Sequence, residues 1–428
     1  MNKIETIILN EYLKPAEKKN YKKIGVEIEH PIVCFDSTKS LKEIGHAFFT
    51  YMTEQEEYTV TDVSIDGYIH RIERDGNSYS FDTFYGILEF SIKPLENLEA
   101  IENIRREMLA KAISFYSTYD CYIIGSGNNP FNKAKNERIL SRFSKMTQKD
   151  AKGNIDEETG TDEFYNMCST QTHLDIPFEK IVETYNFFNE SSFVRAILLS
   201  NSPDYYSNQV LYCTRDDIWE NSKSPNTGLI NTHFNGIDEL LRYISEEKLF
   251  YIESDEGYIT TDISLGEYLS NNNKNYNFNT YRSYENVVIN RFGCLEIRDD
   301  CTQPLNEALA ATAFALGLAL NVEKATDILS QFKAENGIDC LNSELRQMAK
   351  RGEQIAADDA IRKLLYELYS CAEDALLARN SGDEKFLEPL RGRIERLECP
   401  AKDYLNKYKS SCEEQELIKM MAEVSPEE

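Results

Sequence analysis

Short runs of alternating apolar and polar residues recur up to about Asp300: KIGVEIEHPIV from Lys23, GILEFSIKP from Gly86, CYIIGSG from Cys121, CSTQTHLDI from Cys168 and FGCLEIRDD from Phe292. A period of two predicts strands, and the longer amphipathic stretches between them predict helices. From Asn306 onward the pattern changes. Apolar residues return at helical spacing, as in DDAIRKLLYELYSCAEDALLARN, with Gly337, Gly352 and Gly382 as expected breaks between helices. The pattern predicts an α+β unit over residues 1–330 and a helical C-terminal region over 331–428. Two polar stretches, Lys149 to Glu163 and Ser270 to Tyr281, have the composition of mobile loops, and the final EVSPEE is expected to fray.

At 428 residues and 41% hydrophobic content the chain can bury a large core. Its 73 acidic residues against 47 basic ones leave a formal charge of −26, which repels polyphosphate backbones and anionic bilayers. Nucleic-acid and membrane partners are therefore not expected. The longest apolar stretch, Ala308 to Leu320, falls short of the roughly 20 residues a spanning helix needs and predicts a buried helix. The N-terminal segment lacks the features of an export signal, so a cytoplasmic location is expected. Ten cysteines lie singly, without CxxC pairs, and are expected to be buried apolar groups.

On a strand through Ile24 to Glu29, Ile24, Val26 and Ile28 share one face while Glu27 and Glu29 share the other. Two carboxylates about 7 Å apart on one face repel unless a cation or a basic side chain lies between them, although a solvated strand face reads the same way. The grammar recurs. Glu89 sits inside the apolar run Ile87 to Ile92; Gln171, His173 and Asp175 are cofacial, as are Glu296 and Arg298. Were these strands in one sheet, its polar face would carry an oxygen-rich set with one imidazole, suited to Mg²⁺ or Mn²⁺ and a nucleotide. Gly125-Ser126-Gly127 lacks the Lys-Ser/Thr of a phosphate loop and reads as a strand end. Cys168 and Cys294 lack the His/acid partners of a thiol nucleophile. Trp219, the only tryptophan, reads equally as a core, lid or contact residue.

The collinear order GVEIEH, ILEFSIKPLENLEAI, CSTQTHLDI, LLSNSP, RDDIW with NTG, and LEIRDDCTQP resembles the glutamate–cysteine ligase family in its plant and proteobacterial branch, over roughly Lys23 to Leu320. The resemblance implies a curved antiparallel sheet forming an acidic funnel, like the catalytic domain of glutamine synthetase. It implies Glu27, Glu29, Glu89, Glu296 and His173 as ligands of two or three Mg²⁺ ions. Glutamate would lie along Met167 to Asp175, touching Thr170 and Gln171. Arg142 (or Arg138) and Arg215 would grip its α-carboxylate. Asp175 and Arg298 would face the nucleotide, with Glu27, Glu89 and Arg298 serving catalysis.

The activity so implied is ATP-dependent joining of the glutamate γ-carboxylate to the amine of cysteine through a γ-glutamyl phosphate. The partners would be small molecules, acting on a monomer or homodimer. A different amino acid or amine acceptor, a non-catalytic glutamate- or nucleotide-binding relative and a phosphoguanidino-type kinase are competing expectations. Asn226 stands where many relatives carry Arg, and no counterpart of the plant regulatory cysteine pairs is found, so no redox switch is expected.

Overall fold

Nine of the strands hydrogen-bond into one sheet in which every pairing is antiparallel. The computed structural model describes residues 2–82, 84–137, 139, 167–220, 226–249, 251–254, 257–260, 262–271, 284–290, 292–338, 343–352, 359–410 and 412–424. The sheet strands are β1 (Ile24–Cys34), β2 (Thr59–Val63), β3 (Ile69–Arg74), β4 (Asn77–Phe81), β5 (Ile87–Leu95), β6 (Cys121–Ile123), β7 (Ser169–Leu174), β8 (Val287–Ile289) and β9 (Leu295–Cys301). Their order is β8-β9-β7-β1-β5-β4-β3-β2, with β6 added to the far end of β1. The path does not close on itself.

Register follows the hydrophobic alternation. Ile28 of β1 pairs with Phe90 of β5, Phe90 with Tyr79 of β4, and Tyr79 with Ile72 of β3, giving a continuous buried row. The next row along is polar, because a step of one residue turns the side chains to the other face. Helices cover the apolar face: α1 (Leu41–Gln55) packs on β3, α2 (Leu98–Ser117) on β5 and β6, α3 (Ser192–Leu199) on β9, and α5 (Ala310–Leu320) on β7. Ser40 caps α1 by accepting from the Glu43 N–H, and Asn97 caps α2 through the Ala100 N–H, so both helices begin where their first free amides find a side-chain oxygen. Between α3 and α5 lies the short α4 (Thr214–Glu220).

The predicted apolar helix is α5, buried from Ala310 to Ala319, as expected of a helix apolar on every side. Among the described residues no single helix is long and apolar enough to cross a membrane. After Asn306 the described elements are helical. They include α6 (Ser343–Arg351) and α7 (Asp359–Arg379), and α7 lies along α5. Gly337, Gly352 and Gly382 stand at helix ends in left-handed backbone. Lys149 to Glu163 lies outside the described residues. Ser270 and Asn271 end the helix Leu265–Asn271, and the rest of that polar stretch lies outside them.

Candidate active site

The polar face of the sheet collects the acids. Glu29 of β1 is the direct cross-strand partner of Glu89 on β5, Glu27 is that of Gln171 on β7, and His173 lies between Gly25 of β1 and Glu296 of β9. Residues from four strands thus meet on one surface because each strand turns its polar side chains to the same face: Glu27 and Glu29, Glu89, Gln171 and His173, Glu296 and Arg298.

The acids differ in their partners. Glu29 is buried and held by β7: the Ser169 N–H donates to it at 2.6 Å, the Ser169 hydroxyl at 3.0 Å and the Gln171 amide at 3.2 Å. Glu89 accepts from the Ser91 hydroxyl at 2.7 Å. Arg298 donates to Glu296 at 2.6 Å. Glu27 keeps 35% of its side-chain surface open and Glu89 is half-buried, so these two are the acids that a ligand over the sheet would meet.

Charge crowding and burial shift the proton affinities of these groups. Burial, then Glu89 and Glu296, push the Glu27 carboxyl up to about 8. Burial, then Asp82 and Glu89, do the same to Glu29. Burial works against Glu296 too, but Arg298 and His173 hold its carboxyl below the ordinary range. Burial lowers the His173 imidazole. Its Nδ1 faces the Asn290 amide at 3.0 Å, and its buried Nε2 has no hydrogen-bond partner among the described residues, with the Glu27 carboxylate 3.7 Å away.

A cation would relieve both the unpartnered imidazole nitrogen and the raised carboxyls, and hard oxygen donors with one imidazole suit Mg²⁺ or Mn²⁺. Among the described residues, however, no group of three or more His, Cys, Asp or Glu side chains is arranged as a metal cage. Glu27, Glu29, Glu89, Glu296 and His173 share a surface without forming one closed site.

Thr170 is turned away from this surface. It is fully buried beside Ile28, because neighbouring residues on a strand face opposite ways, whereas Gln171 reaches Glu29. Asp175 pairs with Lys19 at 2.6 Å, and Cys294 lies 3.5 Å from the same carboxylate. Arg215, on α4, donates to the Arg298 carbonyl at 2.6 Å and lowers the titration of Glu29 through its charge. Arg142 and Arg138 lie outside the described residues. Asn226 adopts left-handed backbone and donates to the Lys248 carbonyl. Cys168 is buried, its thiol pushed up by burial and Glu29, against a nucleophilic role. Cysteines distant in sequence do meet: the sulfurs of Cys213 and Cys301 are 3.5 Å apart. Lys19 and Asn290 escape a reading of alternation, since neither lies in a strand and their partners are fixed only by the fold.

No protein-family model and no curated protein matches the sequence. Among solved structures the chain is similar to glutamate–cysteine ligase from Francisella tularensis, determined with AMP, at a TM-score of 0.52 and 11% identity over 94% of this chain and 88% of that one. The chain has the fold of that glutamate–cysteine ligase. Similarity extends to a bifunctional glutathione synthetase from Pasteurella multocida (TM-score 0.49, 13% identity, 98% of this chain and 53% of that one) and to the Pup ligase PafA bound to Pup (0.40, 11%, 94% and 69%). The glutamate–cysteine ligase resemblance read from short segments of the sequence is thus matched in three dimensions. Within that fold the acids occupy the open face of the central sheet.

Proposed function

We propose that the protein is an ATP-dependent carboxylate–amine ligase that joins the γ-carboxylate of glutamate to the amine of cysteine, giving γ-glutamylcysteine, ADP and phosphate. The observation that supports this reading is the gathering of Glu27, Glu29, Glu89, Glu296 and Arg298 on one sheet face, with Arg215 of α4 bonded to the Arg298 carbonyl. In this reading the sheet curves into an acidic funnel like that of glutamine synthetase. Residues 1–330 form the catalytic unit, residues 331–428 brace it, and the protein works in the cytoplasm.

A carboxylate resists attack by an amine because hydroxide is a poor leaving group. Transfer of the γ-phosphoryl group of ATP to the γ-carboxylate releases ADP and leaves an acyl phosphate. The amine then attacks the acyl carbon, the C–N bond forms, the C–O bond to phosphate breaks, and the amine proton passes to solvent or a nearby carboxylate. Bringing an anion to a polyphosphate demands positioning and charge neutralisation. Glu27 and Glu89, with Glu296 and His173 beside them, would hold Mg²⁺, which neutralises phosphate charge when bound. Arg298 would orient the phosphoryl group, and the planar fork of Arg215 suits the α-carboxylate.

The test is ADP release by the full chain with ATP, Mg²⁺, glutamate and cysteine. Glutamate-dependent turnover with cysteine is expected. Turnover with a different amine in an acceptor panel would keep the chemistry and change the acceptor; nucleotide binding without turnover against every amine would refute the ligase reading.

A further inference from the structure

Arg215 stands on a helix of seven residues, and what anchors that helix comes from far along the chain. From α6, Arg346 donates to Asp216 of α4, to Asp299 of β9 at 3.0 Å and to the Ser192 carbonyl of α3 at 2.7 Å. One turn on, the fully buried Lys350 places its ammonium 3.6 Å from Asp217, and its carbonyl accepts the Tyr212 N–H at 2.6 Å. Helix α6 therefore ties down both the approach to α4 and its first turn.

These contacts belong to a buried charge set. Arg195 donates to Asp299 and, at 3.1 Å, to Asp300; Arg346 bridges Asp299 and Asp216; Arg215 lies 3.7 Å from Asp216. Arg195, Arg215 and Arg346 balance Asp216, Asp299 and Asp300 in formal charge. Each of the six is 8% exposed or less. A buried set of this kind contributes little net stability against an apolar alternative but punishes removal of one partner, so its geometry is sharply defined. The Arg215 Nη1, the atom 3.7 Å from Asp216, makes no hydrogen bond among the described residues.

We propose that Arg346 is a positioning residue for the ligase site: by joining Asp216 to Asp299 it fixes α4 against β9 and so sets where Arg215 presents its guanidinium. The identity of the bound carboxylate rests on the ligase reading above; the placement of α4 does not. Arg346→Lys keeps the charge, yet a single ammonium cannot reproduce the planar fork that spans two carboxylates and a carbonyl.

Trp219, the only tryptophan, lies on α4 four residues after Arg215 and stacks on Tyr284 with ring centroids 5.1 Å apart. Its fluorescence reports the seat of α4 whatever the chemistry. In Arg346→Lys we expect a shifted Trp219 emission and greater acrylamide quenching in protein whose far-ultraviolet circular dichroism is unchanged. The glutamate KM should rise about tenfold with kcat and the ATP KM within about twofold. In an Arg215→Gln background the same change should have no further effect on the glutamate KM.

An unmoved Trp219 with an unmoved KM overturns the proposal, as does an equal KM penalty in both backgrounds. If the wild type shows no glutamate-dependent turnover, the ligase reading falls and the Trp219 measurement alone decides on Arg346. Should Arg346→Lys not fold, Lys350→Gln, which loosens the hold on Asp217, must shift Trp219 in the same direction; no shift there also overturns the proposal.

Discussion

Glu29 faces Glu89 as its direct partner across the antiparallel pair of β1 and β5. Like charges at this position destabilise a sheet. Glu29 is relieved by three donors from β7, whereas the hydrogen bond recorded for Glu89 comes from Ser91 on its own strand. Glu89→Gln should therefore leave the melting temperature of the cation-free protein unchanged or raised. If Glu89 holds the catalytic cation, turnover should fall about 10²–10³-fold, the typical loss when one transition-state contact is removed. Calorimetric melting beside an ADP-release assay checks both, and a large loss of stability would assign Glu89 to the fold instead.

The raised carboxyls of Glu27 and Glu29 give a pH dependence with a definite sign. Both reach about 8 in the folded protein from an ordinary 4.5. Between those values the folded chain holds more protons than the unfolded one, so stability falls as pH rises across that window, by at most about 1.4 kcal/mol per pH unit for the buried Glu29 and by less for Glu27, which solvent screens. Bound Mg²⁺ favours the ionised forms and should flatten or reverse the slope. Melting curves in EDTA and in Mg²⁺ at several pH values will show it; a profile identical in both would remove the cation from this site.

Gly25 lies across from His173, and a Cβ built there would come within 3.2 Å of the His173 Cβ. Gly25→Ala should push the imidazole away from Glu27 and Asn290. Activity is expected to drop more than stability, with a lower apparent Mg²⁺ affinity in a metal titration of turnover. Equal Mg²⁺ dependence in variant and wild type would show that His173 has no part in holding the metal.

The Lys19–Asp175 pair, with 22% and 11% of the side chains exposed, closes the end of β7 onto the N-terminal segment. A partly exposed pair of this kind contributes on the order of 1 kcal/mol. Lys19→Met and Asp175→Asn should lower stability by similar amounts in urea titrations and leave the ATP KM unchanged. A selective rise in the ATP KM for Asp175→Asn would instead assign that residue to nucleotide binding.

Strand positions and their acids were legible because alternation is local: Val26, Ile28, Phe90 and Tyr79 announce one face, and Glu27, Glu29 and Glu89 the other. The same rule separates Thr170 from Gln171, although the family resemblance put both on glutamate. What periodicity cannot carry is the partner of a charge. Arg346 is 47 residues from Asp299 and 130 from Asp216, and Lys19 is 156 from Asp175. Those pairs arise from packing between remote helices and strands, and nothing in their immediate neighbours marks them. The meeting of Cys213 with Cys301 was hidden for the same reason.

Strand β1 pairs with β7 on one side and β5 on the other, and its odd and even positions divide core from acids. A slip of one residue would drive Glu27 and Glu29 among the helices and turn Ile24, Val26 and Ile28 to water, so the acidic set cannot migrate along the sheet without dissolving the protein. Divergence in such a scaffold is channelled elsewhere: it must fall on segments outside the sheet, while the acids stay as immovable as the core they are woven into.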